Sequence, residues 1–153
     1  RFFKLVHHLD YTILRYGNVY GPRQNNKGEA GVISIFINNL LFDKECIING
    51  SGKQTRDYVY VKDVAKANLL GLNIEGIFNV GTGEETSVND LFEKIMVLVG
   101  KKVSCKHIET IKGELNRSCL DTSKLKNLGW NQISSLDEGL KETIEYFSRY
   151  KKD

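Results

Sequence analysis

The stretch from Ile77 to Gly100, IFNVGTGEETSVNDLFEKIMVLVG, predicts a strand, a turn and a helix in that order. The apolar run Ile77–Val80 predicts a short strand, which Gly81-Thr82-Gly83 ends. Ser87 is a preferred N-cap residue, and the apolar residues that follow it form one helical stripe ending at Gly100. Two glycines fall short of a dinucleotide-binding fingerprint, so a tight β–α connection is favoured over a phosphate-binding turn.

The alternation of strands and helices continues on both sides of this unit. Strand patterns occur at Tyr11–Tyr16, Cys46–Ile48, Tyr58–Val61, Val103–Ile108 and Arg117–Leu120. Helical patterns occur at Arg1–Leu9, Val32–Phe42, Val64–Leu72 with Asp63 as its cap, and after the capping box Ser135–Glu138. This alternation predicts an α/β or α+β fold, and 153 residues are enough for a single domain.

Composition excludes several classes of protein. The net charge is +3 and the basic residues are dispersed, which does not favour a nucleic-acid partner. Apolar runs stay well short of the roughly 20 residues that cross a bilayer, and the N-terminus lacks signal-peptide features, so no membrane partner is expected. Cys46, Cys105 and Cys119 are too widely spaced for a metal motif. They are expected to be reduced thiols in a cytoplasmic protein.

The loop Gly50–Asp57, GSGKQTRD, is the most suggestive local motif. Its glycines could let backbone amides approach an anion, and the Arg56 guanidinium could form a bidentate contact with phosphate oxygens. A plain hairpin turn is favoured on spacing alone, and Arg56 could equally form an ion pair with Asp57. The adjacent pair His7-His8 cannot chelate a metal jointly. The residues therefore predict no self-contained catalytic centre and no metal site.

Five motifs in order carry a resemblance to a known family. They are Leu14–Gln24 (LRYGNVYGPRQ), Gly28–Ile37 (GEAGVISIFI), Ile48–Ala65 (INGSGKQTRDYVYVKDVA), Phe78–Leu91 (FNVGTGEETSVNDL), and Arg117–Trp130 with Ser135–Phe147. Together they resemble the C-terminal half of extended short-chain dehydrogenase/reductase enzymes, the nucleotide-sugar epimerases and dehydratases, and are most similar to the UDP-glucose 4-epimerase branch. The resemblance implies an α/β fragment, 1–153, with most of the Rossmann domain absent and only residues 1–22 and 76–83 in its sheet.

The resemblance also implies a set of ligand-binding residues. A UDP-sugar would contact Asn18 and Arg56 at its diphosphate and Glu114 at its ribose. Its base would lie beside the remaining substrate-binding candidates, Val32, Ile33, Ile47 and Asn49. NAD would pass the turn that contains Tyr16, Val19 and Tyr20. Two positions depart from the family pattern: Ile111 stands where an arginine is usual, and Ser51 stands where an aspartate is usual.

The family's glycine-rich NAD fingerprint and its catalytic Tyr-x-x-x-Lys pair are expected upstream of this chain. The resemblance therefore implies a fragment that binds a UDP-sugar, holds no catalytic residue and is inactive alone. It also implies a full enzyme that binds NAD as a homodimer, and a fragment that self-associates through uncovered sheet. The alternatives are a 4,6-dehydratase or UDP-glucuronate decarboxylase half, a non-catalytic nucleotide-sugar-binding module, and a purely structural domain.

Overall fold

The computed structural model describes residues 2–25, 31–110 and 112–149. The helices in these residues are α1 Phe2–His7, α2 Val32–Leu41, α3 Val61–Gly71, α4 Val88–Val99, α5 Ser123–Lys126 and α6 Leu136–Arg149. The strands are β1 Thr12–Tyr16, β2 Asn18–Tyr20, β3 Ile47–Asn49, β4 Thr55–Arg56, β5 Tyr58–Tyr60, β6 Gly76–Val80, β7 Thr86–Ser87, β8 Lys106–Ile108 and β9 Arg117–Ser118. The expectations that concern Arg1, Gly28–Ala30 and Ile111 lie outside the described residues.

Parallel pairing between distant parts of the chain dominates the strand topology. β1 pairs with β6 from Thr12 opposite Gly76 to Tyr16 opposite Val80, as expected for two strands of one parallel sheet. The pairs β2–β5, β3–β8 and β4–β9 are parallel too, and β4 also pairs with β7 in the antiparallel sense. Parallel strands need long crossover connections, and here α2 and α3 lie within those connections. The α/β interpretation is therefore confirmed.

Local capping signals in the sequence form as predicted. The Ser87 hydroxyl accepts a hydrogen bond from the Asp90 amide at 3.1 Å and donates to the Asp90 carboxylate at 2.7 Å. At the other end of α4, Gly100 adopts the left-handed conformation with φ of 75°. Before α6, the Ser135 amide donates to Glu138 Oε2 at 2.8 Å, which completes the capping box.

Two apolar clusters hold the elements together. The first joins α2, α4 and α6 and includes Phe36, Leu91 and Leu140, all at most 1% exposed. The second packs α3 and α5 against the β1–β6 pair and includes Phe78 and Leu125. Each such side chain contributes on the order of 1.5–3 kcal/mol when it is fully buried. The first cluster matters for function, because one of its edges forms a wall of the cavity described below.

Asp63 does not cap α3, so that prediction was wrong. α3 begins at Val61, directly after β5, which places Asp63 in the first helical turn. Its carboxylate is 1% exposed and accepts hydrogen bonds from the amides of Ile133 and Ser134, both at 3.1 Å. A carboxylate near a helix N-terminus is electrostatically favoured. Here the Asp63 carboxylate also links α3 to the segment that precedes α6.

The hairpin predicted for Gly50–Asp57 is also wrong. Residues 50–53 do turn, but β3 pairs with β8 and β4 pairs with β7 and β9, so the strands on either side of the turn separate. Two predicted strands are shorter than their patterns, because β8 covers only Lys106–Ile108 and β9 only Arg117–Ser118. The composition of a turn indicates where the chain bends, whereas strand pairing depends on distant partners.

The first helix carries an exposed apolar surface. Phe2, Phe3 and Leu5 on α1 are 65%, 65% and 78% exposed, and Ile13 on β1 is 43% exposed. Such a surface agrees with the expected self-association, which stays a prediction. Across the described ranges, no helix combines the length and apolar character needed to cross a bilayer.

Candidate functional site

A cavity of about 440 Å³ opens beside the first apolar cluster. Its walls come from the ends of several elements, so residues far apart in sequence meet there. Six of the seven substrate-binding candidates line it: Asn18, Val32, Ile47, Asn49, Arg56 and Glu114. The wall is apolar on the α2 and β3 side, with Phe36 and Ile48, and polar on the side of Arg56 and Glu114. One apolar face and a few convergent polar groups are typical of a small-molecule site.

Arg56 is held at the polar wall by three contacts. Its Nη1 donates to the carbonyl oxygens of Thr55 at 2.8 Å and Leu115 at 2.7 Å. Its Nη2 donates to Glu114 Oε1 at 3.3 Å, in an ion pair whose side chains are 17% and 23% exposed. The guanidinium is therefore fixed in orientation while part of it remains accessible to the cavity. A preorganised guanidinium is suited to phosphate oxygens, because little side-chain entropy remains to be lost on binding.

The start of α2 faces the same cavity. Gly31 is the N-cap residue, and its backbone is followed at the wall by Val32 and Ile35. Amide groups in the first turn of a helix lack partners within the helix and carry partial positive charge. This end therefore adds positive potential to a cavity whose polar wall holds the Arg56–Glu114 ion pair.

The remaining candidates lie next to this cavity or turn away from it. A small adjoining cleft is lined by Val19, Tyr20 and Ile33 together with Asn18 and Val32. Most of the Ile33 side chain belongs to the apolar core, since the residue is only 1% exposed. The structure thus brings the substrate candidates and two of the three cofactor candidates into one neighbourhood.

The three cofactor candidates have different surroundings. Tyr16 is 45% exposed at the carboxyl end of β1, and its hydroxyl donates to Asn68 Oδ1 at 2.9 Å. Ligands of open α/β sheets bind outside the carboxyl ends of the strands, and Tyr16 lies at such an end. Tyr20 is only 3% exposed, and its hydroxyl donates to the Leu136 carbonyl at 3.2 Å. Contact between Tyr20 and a cofactor would therefore involve its backbone rather than its ring.

Asp57 is a structural neighbour of the site whose partners sequence reasoning missed. It is 1% exposed, and its carboxylate accepts hydrogen bonds from the Thr82 amide and hydroxyl, both at 2.7 Å, and the Gly83 amide at 3.1 Å. A further contact comes from the Leu120 amide at 3.4 Å. The proposed Arg56–Asp57 ion pair is therefore wrong, because Arg56 pairs with Glu114 and Asp57 with backbone amides.

This contact also explains the turn Gly81-Thr82-Gly83. Its amide groups do form an anion-binding arrangement, but the anion is the protein's own Asp57 carboxylate. A side chain at Gly81 would collide with that carboxylate, since an added Cβ would lie 2.4 Å from Asp57 Oδ2. The signal available in the sequence was an acidic residue beside Arg56 and a distant glycine-rich turn, and only the tertiary structure joins the two.

Other reactive groups do not assemble into a second centre. The described part of the chain contains no cluster of three or more His, Cys, Asp or Glu side chains that could hold a metal ion. Cys46, Cys105 and Cys119 are free thiols. His107 Nδ1 lies 2.7 Å from the Gly50 carbonyl oxygen and so supports the turn beside the cavity.

The fold and cavity define an α/β protein with a candidate small-molecule site between an apolar wall and a polar wall. The family model of the "NAD dependent epimerase/dehydratase family" matches residues 4–81. The chain belongs to this family, whose members in the extended short-chain dehydrogenase/reductase group act on nucleotide sugars.

Individual relatives agree with this assignment. A Methanocaldococcus jannaschii protein, provisionally named a UDP-glucose 4-epimerase, is 48% identical over 147 residues, which are 95% of this chain and 48% of that protein. A crystal structure of UDP-glucose 4-epimerase with UDP-glucose from Thermotoga maritima matches with a TM-score of 0.96 and 45% identity, over 99% of this chain and 50% of that one. Thermus thermophilus UDP-glucose 4-epimerase in complex with NAD matches with a TM-score of 0.86 and 36% identity, over 95% and 49%. The chain thus spans about half the length of these relatives.

The family match corrects the expectation of a C-terminal half from which most of the Rossmann domain is absent. The model of the NAD-dependent family begins at residue 4 and continues to residue 81. Residues 4–81 therefore match the model of the NAD-dependent family as one continuous segment, and the matched part is not limited to residues 1–22 and 76–83. The Rossmann-type parallel pairs β1–β6 and β2–β5 lie within this matched segment.

Proposed function

We propose that the cavity binds the nucleoside diphosphate of a UDP-sugar, and that the chain serves an NAD-dependent 4-epimerase that interconverts UDP-glucose and UDP-galactose. The observation that carries the proposal is the Arg56–Glu114 pair at the polar wall of the cavity. A guanidinium suits a diphosphate, and a carboxylate is a good acceptor for ribose hydroxyls. The apolar wall of Val32, Ile35 and Ile47 suits a planar base.

The cofactor supplies the redox chemistry of such an enzyme. NAD would lie beside Tyr16, Val19 and Tyr20, and it would supply hydride chemistry at C4 of the sugar. The residues of this chain have a different task, which is to hold the nucleotide so that the sugar is presented in a fixed orientation. We assign Asn18, Val32, Ile33, Ile47, Asn49, Arg56 and Glu114 to the nucleotide sugar, and Tyr16, Val19 and Tyr20 to the surroundings of NAD.

Calorimetric titration of the chain with UDP tests the binding proposal. Arg56→Ala should weaken UDP binding by about 1.5–3 kcal/mol, which corresponds to roughly 10- to 150-fold, because a charged hydrogen bond to phosphate is lost. Arg149→Ala is a matched control, since Arg149 lies on α6 away from the cavity and pairs only with Glu145 among the described residues. Its UDP affinity should equal that of the unmodified chain.

A thermal melt of each variant separates binding from folding. Arg56 also donates to two backbone carbonyls, so its replacement can lower the melting temperature as well. A lowered melting temperature with an unchanged UDP affinity of the folded molecules would show that Arg56 only supports the scaffold. In that case the proposed diphosphate site would be wrong.

A further inference from the structure

Tyr58 combines burial with an unused hydrogen-bonding group. The residue is 5% exposed and belongs to the first apolar cluster. Its hydroxyl is inaccessible to solvent and has no hydrogen-bond partner among the described residues. A buried hydroxyl without a partner costs about 1–3 kcal/mol, and few such groups occur in native proteins. An unsatisfied donor of this kind calls for a functional explanation.

Tyr58 belongs to the wall of the candidate site. Tyr58 lines both the large cavity, with Arg56 and Glu114, and the adjoining cleft, with Val19 and Tyr20. Side chains alternate along an extended chain, so Arg56 and Tyr58 share one side while Asp57 lies on the other. The parallel register places Asn18 opposite Tyr58. Asn18, Arg56 and Tyr58, whose side chains all carry hydrogen-bond donors, therefore lie together at one part of the cavity wall.

The hydroxyl is a donor at neutral pH. Burial raises the pKa of Tyr58 to about 12, against a smaller opposing effect of the Arg56 charge. The proton therefore stays on the phenol, and the group can donate to an acceptor without a change of charge. A diphosphate offers only acceptor oxygens, so it complements a cluster of donors.

We propose that Tyr58 is a ligand-binding residue whose hydroxyl, which is covered in this structure, turns toward the cavity on binding and donates a hydrogen bond to a phosphate oxygen of the nucleoside diphosphate. The inference rests on the proposed function, because it needs a nucleoside diphosphate in the cavity. It adds to that function a residue that supplies a neutral donor beside the Arg56 charge. Ligand binding then satisfies a hydroxyl that the protein alone leaves unpaired.

Tyr58→Phe removes the hydroxyl and keeps the ring. UDP affinity, measured by calorimetry, should fall by about tenfold, which is about 1.4 kcal/mol. The melting temperature without ligand should stay the same or rise, because the variant no longer buries an unpaired polar group. The 31P resonances of bound UDP should also differ between the two proteins, since the lost donor acts on the diphosphate.

Tyr60→Phe is the matched control. Tyr60 is a buried tyrosine on the same strand, but its hydroxyl already donates to Glu142 Oε2 at 2.5 Å. Its replacement should lower the melting temperature and leave UDP affinity and the 31P resonances unchanged. Tyr58→Phe is therefore expected to lower UDP affinity, whereas Tyr60→Phe is expected to lower the melting temperature.

Three results would overturn the assignment of Tyr58. If Tyr58→Phe binds UDP normally while Arg56→Ala does not, the hydroxyl plays no part in binding and the proposed function stands. If affinity falls without any change in the 31P resonances, the contact is not to phosphate. If the unmodified chain does not bind UDP, the proposed function fails and the role of Tyr58 fails with it.

Discussion

Arg56 and Asp57 are adjacent in sequence but lie in opposite environments. The Asp57 carboxylate is almost completely buried and accepts hydrogen bonds from Thr82, Gly83 and Leu120. The Arg56 guanidinium borders the cavity, is partly exposed, and pairs with a carboxylate that is partly exposed as well. A charge that the protein satisfies completely has a structural role. A charge held in place with accessible surface remaining can bind a ligand.

The same comparison applies to the buried tyrosines of β5. Tyr60 donates to Glu142, whereas Tyr58 has no partner among the described residues. Both rings contribute apolar area to the first cluster, so their burial alone does not distinguish them. Their hydrogen bonds distinguish them. A hydroxyl with a protein partner indicates a structural role, whereas a hydroxyl without one is available to a ligand, and exposure alone does not show this difference.

The largest expected effect concerns Asp57, the buried one of the two adjacent charged residues. Asp57→Ala leaves the Thr82 and Gly83 amides without their partner. Because each unsatisfied buried donor costs about 1–3 kcal/mol, the variant should lower the free energy of unfolding by about 3–5 kcal/mol. Urea denaturation measures this change. Glu84→Ala, at an exposed residue of the same turn, should stay within about 0.5 kcal/mol of the unmodified chain. An Asp57→Ala variant of normal stability but reduced UDP affinity would reverse the roles assigned to the two residues.

An intermediate effect is expected when residue 56 keeps its positive charge but loses the planar guanidinium group. Arg56→Lys should bind UDP about 1 kcal/mol more weakly than the unmodified chain, because an ammonium cannot make the bidentate contact of a guanidinium. The loss should be smaller than in Arg56→Ala. Arg117→Lys is the control, since Arg117 pairs with Glu85 outside the cavity. Equal losses from lysine and alanine at residue 56 would show that geometry alone, and not charge, governs binding.

The smallest effect is expected at the exposed ion pair between Lys62 and Glu142. Hydrogen bonds from Lys62 and Tyr60 hold the pKa of Glu142 below its usual range. The stabilisation is therefore present above the unfolded pKa of about 4.3 and disappears as the pH falls through the lower folded value. Because the pair is about half exposed, its contribution should be about 0.5 kcal/mol.

Melting curves of Glu142→Gln between pH 7 and pH 3 measure this contribution. The variant should melt below the unmodified chain at pH 7, and the difference should shrink as the solution becomes acidic. UDP affinity at pH 7 should not change, since Glu142 does not line the cavity. A difference that grows at low pH would contradict the assigned direction of the pKa shift.

The sequence predicted those features that depend on neighbouring residues. Ser87, Gly100 and the Ser135–Glu138 box act on backbone groups within a few residues, so their spacing alone indicates where helices begin and end. The family resemblance also selected side chains that the fold brings together around one cavity. The resemblance did not identify correctly which part of the family's domain the chain contains.

Failures of prediction occurred where the partner is distant. Asp63 looked like a cap because it precedes a helical pattern, but its partners are the amides of Ile133 and Ser134. Asp57 looked like the partner of Arg56, but it binds a turn 25 residues away. Similarly, nothing in the local pattern distinguishes Tyr58 from Tyr60. The periodicity of apolar residues in a sequence does not predict which distant groups form hydrogen bonds with a buried polar side chain.

The parallel pairing of β1 with β6 has a consequence for how the molecule folds. Thr12 meets Gly76 only after the intervening chain, which contains α2, β3, β4, β5 and α3, has been enclosed in one large loop. The other parallel pairs add further contacts between distant residues. Chains dominated by such contacts fold slowly, because the entropy of loop closure is lost before the contacts form. The cavity walls come from separate segments of this loop and its partners, so binding competence is expected to arise late in refolding, together with the last strand pairs.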